Sequence, residues 1–245
     1  MKKERIDKLL ISMGLAKSRE QANSMLMAGM VFLDTKRLDK PGQQVPVESN
    51  IEIKGKKHPW VSRGGLKLEK AILEFHLNCK SIIALDIGAS TGGFTDVLLT
   101  HGAEKVYAVD VGHGQLDWKL RQDKRVVVKE KINARYLSDE VINEPLDAVV
   151  CDASFISLKK ILPAGLGFLK SNGWLAALIK PQFEVGKGLV GKGGVVRDEQ
   201  LHKNVINDIE LWIKTEVNMN LLGVTESPVL GPSGNKEFVI VATKK

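Results

Sequence analysis

Three short stretches put chemically useful side chains at the ends of apolar runs. "IALDIGASTGGFT" (Ile83–Thr95) passes from a hydrophobic segment through Asp86 into a loop of small residues, and then an apolar pattern resumes. Such a loop lets a ligand approach the backbone: a dinucleotide, a nucleoside triphosphate or another nucleoside-bearing cofactor. "VVCDAS" ends its apolar run on Asp152, and "ALIKPQF" ends on Lys180. A lysine closing a buried strand is costly unless paired, so both residues are candidates for chemistry rather than packing.

The dinucleotide fingerprint G-x-G-x-x-G fails in this loop. After Gly88, Ser90 stands where a second glycine would admit a pyrophosphate, and Gly92 and Gly93 follow. A cofactor without a pyrophosphate needs no such approach. D-x-G-A-S-T-G-G-F resembles the first motif of class I S-adenosylmethionine-dependent methyltransferases. The resemblance implies that Asp86, Gly88, Ala89, Ser90, Thr91, Gly92, Gly93 and Phe94 form the cofactor loop. Asp110 closes the next strand, 24 residues after Asp86, where an acid can accept both ribose hydroxyls. By the same resemblance Asn133 ("KINARYL") meets the adenine. A second glycine-rich stretch, Gly186–Gly194, nearly fits a P-loop. Gly193 replaces the hydroxyl residue that binds magnesium, and "PQFEV" precedes it where a buried strand should end. A loop near the substrate is the better expectation there.

Methyl transfer from a sulfonium is an in-line displacement, so the enzyme aligns the acceptor and deals with its proton. The Asn/Asp-Pro-Pro-aromatic motif that accompanies amino-group methylation of bases is absent; its place reads "CDASF". Neither Cys79 nor Cys151 has the Pro-Cys setting associated with carbon-five methylation of pyrimidines. A ribose hydroxyl, a very weak acid, needs a base or a strongly organised site. Lys180 serves either as that base, if its pKa falls from about 10.4, or as a cation that orients the hydroxyl; both roles stay open. Residues 81–245 resemble the FtsJ-type ribose 2′-O-methyltransferases, which carry a Lys-Asp-Lys-Glu tetrad. That resemblance assigns the tetrad to Lys67 ("SRGGLKLEKA"), Asp152, Lys180 and Glu237 ("GNKEFVIV"). Phe155 and Phe183 each follow a tetrad residue by three positions; core packing is the expectation for them, ahead of bracketing a splayed-out base.

The net charge of +7 belongs entirely to residues 1–67, which hold fourteen Lys/Arg and seven Asp/Glu; the remainder balances. So complete an asymmetry favours a polyanion contact at the front. Ile6, Leu9, Leu10 and Met13 fall on one face of a first helix, and the short apolar run with Glu4 and Asp7 in the charged segment favours that helix over a signal peptide. Ser18 and Gln21 form a capping-box pattern for a second helix carrying Ala22, Met25 and Leu26 and stopping at Gly29. Short strand runs "MVFLD" and "NIEIK" follow. This stretch resembles the small RNA-binding domain named after ribosomal protein S-four, which implies contacts to structured RNA through Arg5, Lys17, Arg19, Lys36, Arg37 and Arg63. The expected layout is an RNA-binding domain over 1–54, a basic linker over 55–62 with Trp60 as an anchor, and a methyltransferase domain over 63–245.

Strands alternating with helices from Ser81 onward argue for an α/β fold with a doubly wound, mostly parallel sheet. The resemblance makes it a Rossmann-like class I methyltransferase with seven strands, preceded by a small α+β domain. Two cysteines exclude a disulfide framework, and five scattered histidines give no metal site. No stretch approaches the roughly 20 apolar residues of a membrane span, so a cytoplasmic protein without membrane contact is expected. Nearly the whole chain resembles the TlyA family, ribosomal RNA 2′-O-methyltransferases also labelled haemolysins. The resemblance implies S-adenosylmethionine as cofactor and ribosomal RNA or ribosomal subunits as partner, with a cytidine as target. A non-catalytic ribosome assembly factor and a cytolysin are the competing readings.

Overall fold

Helical spacing near the start of the chain builds the first unit. The computed structural model describes residues 3–16, 18–27, 29–54, 58–231 and 234–245. β1 (Lys3–Arg5) leads into α1 (Ile6–Ser12), and α2 (Arg19–Met27) follows. Ile6, Leu9 and Leu10 are fully buried with Ala22 and Leu26, so the two helices share one small core. Met13, expected on the same stripe, instead caps α1 and is 42% exposed; the chain turns away at Gly14, which has φ +71°. The Gln21 N–H donates to Ser18 Oγ at 3.2 Å, the N-terminal half of the expected cap. β2 (Val31–Leu33) pairs antiparallel with both β3 (Lys36–Leu38) and β5 (Ile51–Ile53), while β4 (Gln44–Pro46) pairs with β1. This unit spans Met1–Arg63 and includes the buried Trp60.

The second unit spans Gly64–Lys245. α3 (Gly65–Glu74) precedes β6 (Ile83–Ile87), α4 (Gly93–Thr100) and β7 (Lys105–Asp110). Next come α5 (Trp118–Arg121), β8 (Val126–Glu130), β9 (Leu146–Cys151), α6 (Leu158–Gly167) and β10 (Leu169–Ile179). The chain finishes with α7 (Pro181–Glu184), α8 (Glu199–Thr215), β11 (Met219–Glu226) and β12 (Phe238–Lys244). The seven strands lie in the order β11-β12-β10-β9-β6-β7-β8, and β12 alone runs against the others.

Val, Ile, Leu and Ala fill β6, β9 and β10 on both faces, as strands covered on two sides require. Fully burying each such Leu or Ile is worth about 1.5–3 kcal/mol. α8 is a clear amphipathic helix: Asp198 caps it by accepting from Gln200 N–H at 2.7 Å, and Val205, Ile209, Trp212 and Ile213 face the sheet. Both cysteines are free and buried, and burial pushes the Cys79 thiol up to about 11 and that of Cys151 to about 12. Among the described residues no helix is long and apolar enough to cross a membrane.

Candidate active site

The sheet order fixes where the site lies. From β6 the chain moves outward through β7 and β8, then returns to the other side for β9 and β10, leaving a crevice beyond the carboxyl ends of β6 and β9. Register aligns Ile87 with Cys151, Cys151 with Ala177, and Ile179 with Phe238. Because β12 is antiparallel, its first residue sits at the same edge as the ends of its neighbours. Gly88, Asp152, Lys180 and Glu237, each next to an aligned strand end, therefore converge there, and α3 brings Lys67 to them.

These four charged residues form one ionic cluster. Lys67 Nζ donates to Glu237 Oε2 at 2.7 Å and to Asp152 Oδ2 at 3.2 Å. Lys180 Nζ lies 2.6 Å from Asp152 Oδ1, and it donates to the Asp152 carbonyl at 3.0 Å and to Ser154 Oγ at 2.8 Å. Lys67, Lys180 and Glu237 are all buried. Burial works against the Lys67 charge, but Asp152 and Glu237 outweigh it and hold its pKa above the ordinary lysine value. Burial likewise opposes ionised Asp152, and Lys67 and Lys180 reverse that, keeping its carboxyl below the usual range. Two cations and two anions thus balance, which makes the cluster tolerable in a dry site.

A cavity of about 470 Å³ opens beside the cluster. Of the loop and strand-end residues expected to meet a cofactor, Gly88, Ser90, Asp110, Asn133 and Asp152 line it. Ile87, Val109, Ile132, Ala134 and Ile156 give it apolar walls, and Asp110, Asn133, Asp152 and Ser154 add polar groups. Asp110 is held in place by its own loop: Oδ2 accepts from Ser90 N–H at 2.8 Å and Oδ1 from Gly112 N–H at 2.6 Å. Asn133 Oδ1 caps a short 3₁₀ turn at Ala134–Tyr136 by accepting from Arg135 N–H, which leaves its amide nitrogen for a ligand. Gly88 has φ +80°, and a Cβ there would come within 2.9 Å of Ala153 Cα, so the loop passes too close to the next strand end for any side chain.

Ala89, Thr91, Gly92, Gly93 and Phe94 do not line this cavity, and neither does Asp86. The Asp86 side chain is wholly buried beneath the loop, where Oδ2 accepts from Thr95 N–H at 3.0 Å and from Thr95 Oγ1 at 2.7 Å. Burial lifts its pKa to about 7, against the Thr95 hydrogen bonds and with the help of Asp152 and Asp110. In this arrangement it braces the loop.

The expectation that Phe155 packs in the core is wrong. Phe155 has φ +66° and is 90% exposed; the left-handed turn after Ser154 swings the ring outward to line the cavity mouth. Phe183 supports it, with ring centroids 5.1 Å apart. Ser154, Gln115 and Arg135 also line the cavity and were not foreseen. Only the adjacency of Ser154 to Asp152 could have marked it. The near P-loop does not form one: Lys187–Leu189 is a 3₁₀ turn behind the four-residue α7, and Gly191 bridges to Val195.

The basic residues of the first unit fall into two groups. Arg5 and Arg19 converge on the buried Asp7: Arg5 donates at 3.0 and 2.9 Å and Arg19 at 2.9 Å. These hydrogen bonds, that of Arg5 first, hold the Asp7 carboxyl at about 2 despite its burial. Arg37 and the half-buried Arg63 flank Gly29, and burial and Arg37 lower the Arg63 pKa. Lys36 is exposed on β3, and Lys17 lies outside the described residues. Among the described residues no group of His, Cys, Asp and Glu could hold a metal ion.

The FtsJ-like methyltransferase profile matches residues 60–244, and the S4 domain profile matches residues 4–51. "16S/23S rRNA (cytidine-2'-O)-methyltransferase TlyA" of Mycobacterium tuberculosis is 45% identical over 240 residues, covering 98% of this chain and 89% of the relative. "Hemolysin A" of Brachyspira hyodysenteriae is 43% identical over 241 residues, covering 96% and 98%. A hemolysin-labelled structure from Streptococcus thermophilus superposes with a TM-score of 0.77 at 44% identity, covering 100% of this chain and 90% of that one. The seven-stranded α/β sheet, the convergent tetrad and these full-length likenesses place the chain among the FtsJ-like methyltransferases, grouped with the TlyA proteins.

Proposed function

We propose that this chain is an S-adenosylmethionine-dependent methyltransferase that modifies the 2′-hydroxyl of a cytidine ribose in ribosomal RNA. The observation that carries the reading is the Lys67–Asp152–Lys180–Glu237 cluster, whose Asp152 lines an adjoining cavity with apolar walls. The M. tuberculosis relative, whose name states this reaction, supports the choice of target.

The cavity volume falls within the roughly 300–1,000 Å³ range of small-ligand sites. Its residues fit a nucleoside: apolar walls for a base, Asp110 for ribose hydroxyls and the Asn133 amide for a base edge. When bound, S-adenosylmethionine supplies an electrophilic methyl group. Asp152 and Lys180 then define the acceptor's position at the cavity edge. All three ammonium hydrogens of Lys180 face acceptors, which favours an orienting cation over a base. An incoming ribose hydroxyl takes the place of Ser154 Oγ, the one neutral side chain in that set. Phe155, exposed and backed by Phe183, receives the splayed-out base. The Arg5–Arg19 and Arg37–Arg63 groups contact RNA phosphates.

The test incubates purified protein with unmodified ribosomal subunits, naked ribosomal RNA and methyl-labelled S-adenosylmethionine, beside a Lys180→Ala variant. Alkali-resistant label with wild type and none with the variant is the expected result, and the labelled particle names the subunit. Cofactor binding without label on any substrate would overturn the assigned acceptor; no cofactor binding would overturn the reading of the loop.

A further inference from the structure

Glu237 is tied to Lys67 through one carboxylate oxygen, and its other oxygen rests against Gly231. A Cβ built on Gly231 would lie 2.2 Å from Glu237 Oε1, 2.8 Å from Cδ and 3.4 Å from Cγ. Real Cβ atoms do not come within 3.0 Å of another heavy atom, so one of the two residues would have to move. Neither has room. Glu237 is 1% exposed, is followed directly by β12 and is held by Lys67 at 2.7 Å.

The turn that carries Gly231 is anchored as well. Gly231 N–H donates to the Asn235 carbonyl at 2.9 Å, and Gly234 N–H donates to the Gly231 carbonyl at 3.1 Å. Asn235 is itself buried; its Oδ1 accepts from Val196 N–H at 3.0 Å, and its Nδ2 donates to the Gly194 carbonyl at 2.9 Å. The glycine-rich stretch that resembles a P-loop therefore serves as the anchor of this turn. Gly231 has no left-handed φ, so its conformation is open to other residues and only space demands glycine. Gly234, at φ +88° with nothing near its Cβ position, is the opposite case.

We infer that Gly231 is a positioning residue of the active site: its bare Cα is the wall that sets the Glu237 carboxylate on Lys67, and through Lys67 fixes Asp152. The inference rests on the proposed methyltransferase reading. Adding a methyl group at 231 pushes Glu237 out of register, and a misplacement of about 1 Å at a catalytic constellation costs on the order of a hundredfold in rate.

The test is a double-mutant cycle of Gly231→Ala, Glu237→Asp and the combination, read by single-turnover RNA methylation, by cofactor affinity and by melting curves of the full chain. Gly231→Ala should lose on the order of a hundredfold in the methylation rate, with the RNA concentration for half-maximal rate and the cofactor affinity unchanged. Glu237→Asp shortens the acid by one methylene and reopens the space, so the double variant should be faster than Gly231→Ala alone. A Gly231→Ala protein within twofold of wild type, or losses that simply multiply in the double variant, would overturn the inference. So would a Gly231→Ala protein that unfolds and is not restored by Glu237→Asp, since the turn would then matter to the fold rather than to the carboxylate. Failure of the underlying reading shows separately, as wild-type protein that leaves no alkali-resistant label.

Discussion

Lys180 holds Asp152 twice, at the carboxylate (2.6 Å) and at the carbonyl of the same residue (3.0 Å). The lysine therefore fixes both the charge and the backbone of the strand end where the acceptor must sit. Replacing it with alanine should cut ribose methylation by on the order of 10²–10³-fold, the range for loss of one preorganised electrostatic donor. Lys67 remains to compensate Asp152, so the variant should still fold. Single-turnover rates and a melting curve check both halves.

Phe155 is the side chain whose removal should separate binding from folding. At 90% exposure it contributes little to the core, and Phe155→Ala should leave stability within about 0.5 kcal/mol. Loss of a stacked base costs about 1–3 kcal/mol, read as a fall in kcat/KM for RNA. An unchanged kcat/KM would remove the base-receiving role.

Asp86 gives the second unit a distinctive response to pH. Its folded pKa of about 7 lies above the ordinary carboxyl value of 3.8, so between about pH 4 and 7 the folded state keeps a proton that the unfolded state has released. Its contribution to stability is thus largest below pH 4, falls as pH rises through that window and levels off above 7. Asp86→Asn removes at most one proton's worth of slope, about 1.4 kcal/mol per pH unit. Denaturant titrations of both proteins from pH 4.5 to 7.5 should show a stability difference that changes with pH; a constant offset would count against it.

Asp7 has the opposite sign. Its folded pKa of about 2 lies below 3.8, so its contribution is full above about pH 4 and is lost as pH falls toward 2. Asp7→Asn should flatten that acid limb, measured by circular dichroism.

For Arg19, half of whose side chain is exposed, the measurable is salt. Arg19→Ala should weaken RNA binding across sequences and reduce the slope of log K against log salt by up to about 1. An unchanged slope would place the phosphate contact elsewhere.

What could be read from the sequence was whatever depends on local order. Asp110 and Lys180 stand at strand ends because apolar runs stop there, and α1 and α2 follow from helical spacing. Asp86 is ambiguous in the sequence because a motif acid looks the same whether it meets a ligand or braces its own loop. Phe155 misleads because an aromatic residue after a buried strand ordinarily packs inward; its positive φ, which no spacing rule signals, turns it out. Ser154 and Gly231 were invisible for another reason. Ser154 acts through Lys180, 26 residues on, a contact that exists only once β9 and β10 lie side by side. Gly231 acts through Glu237, six residues on, where the turn folds back onto the carboxylate at the head of β12, a strand made after both of the strands it pairs with.

That late pairing of β12 has a consequence during synthesis. Lys67 and Glu237 are separated by 170 residues, and the strand behind Glu237 enters between β10 and β11. At translation rates of about 5–20 residues per second, Lys67 is made roughly 10–30 s before its carboxylate partner. Until then Lys67 has Asp152 but not its shorter-range acid partner, and the crevice stays incomplete. The nascent chain can therefore assemble its RNA-gripping front well before it can modify anything.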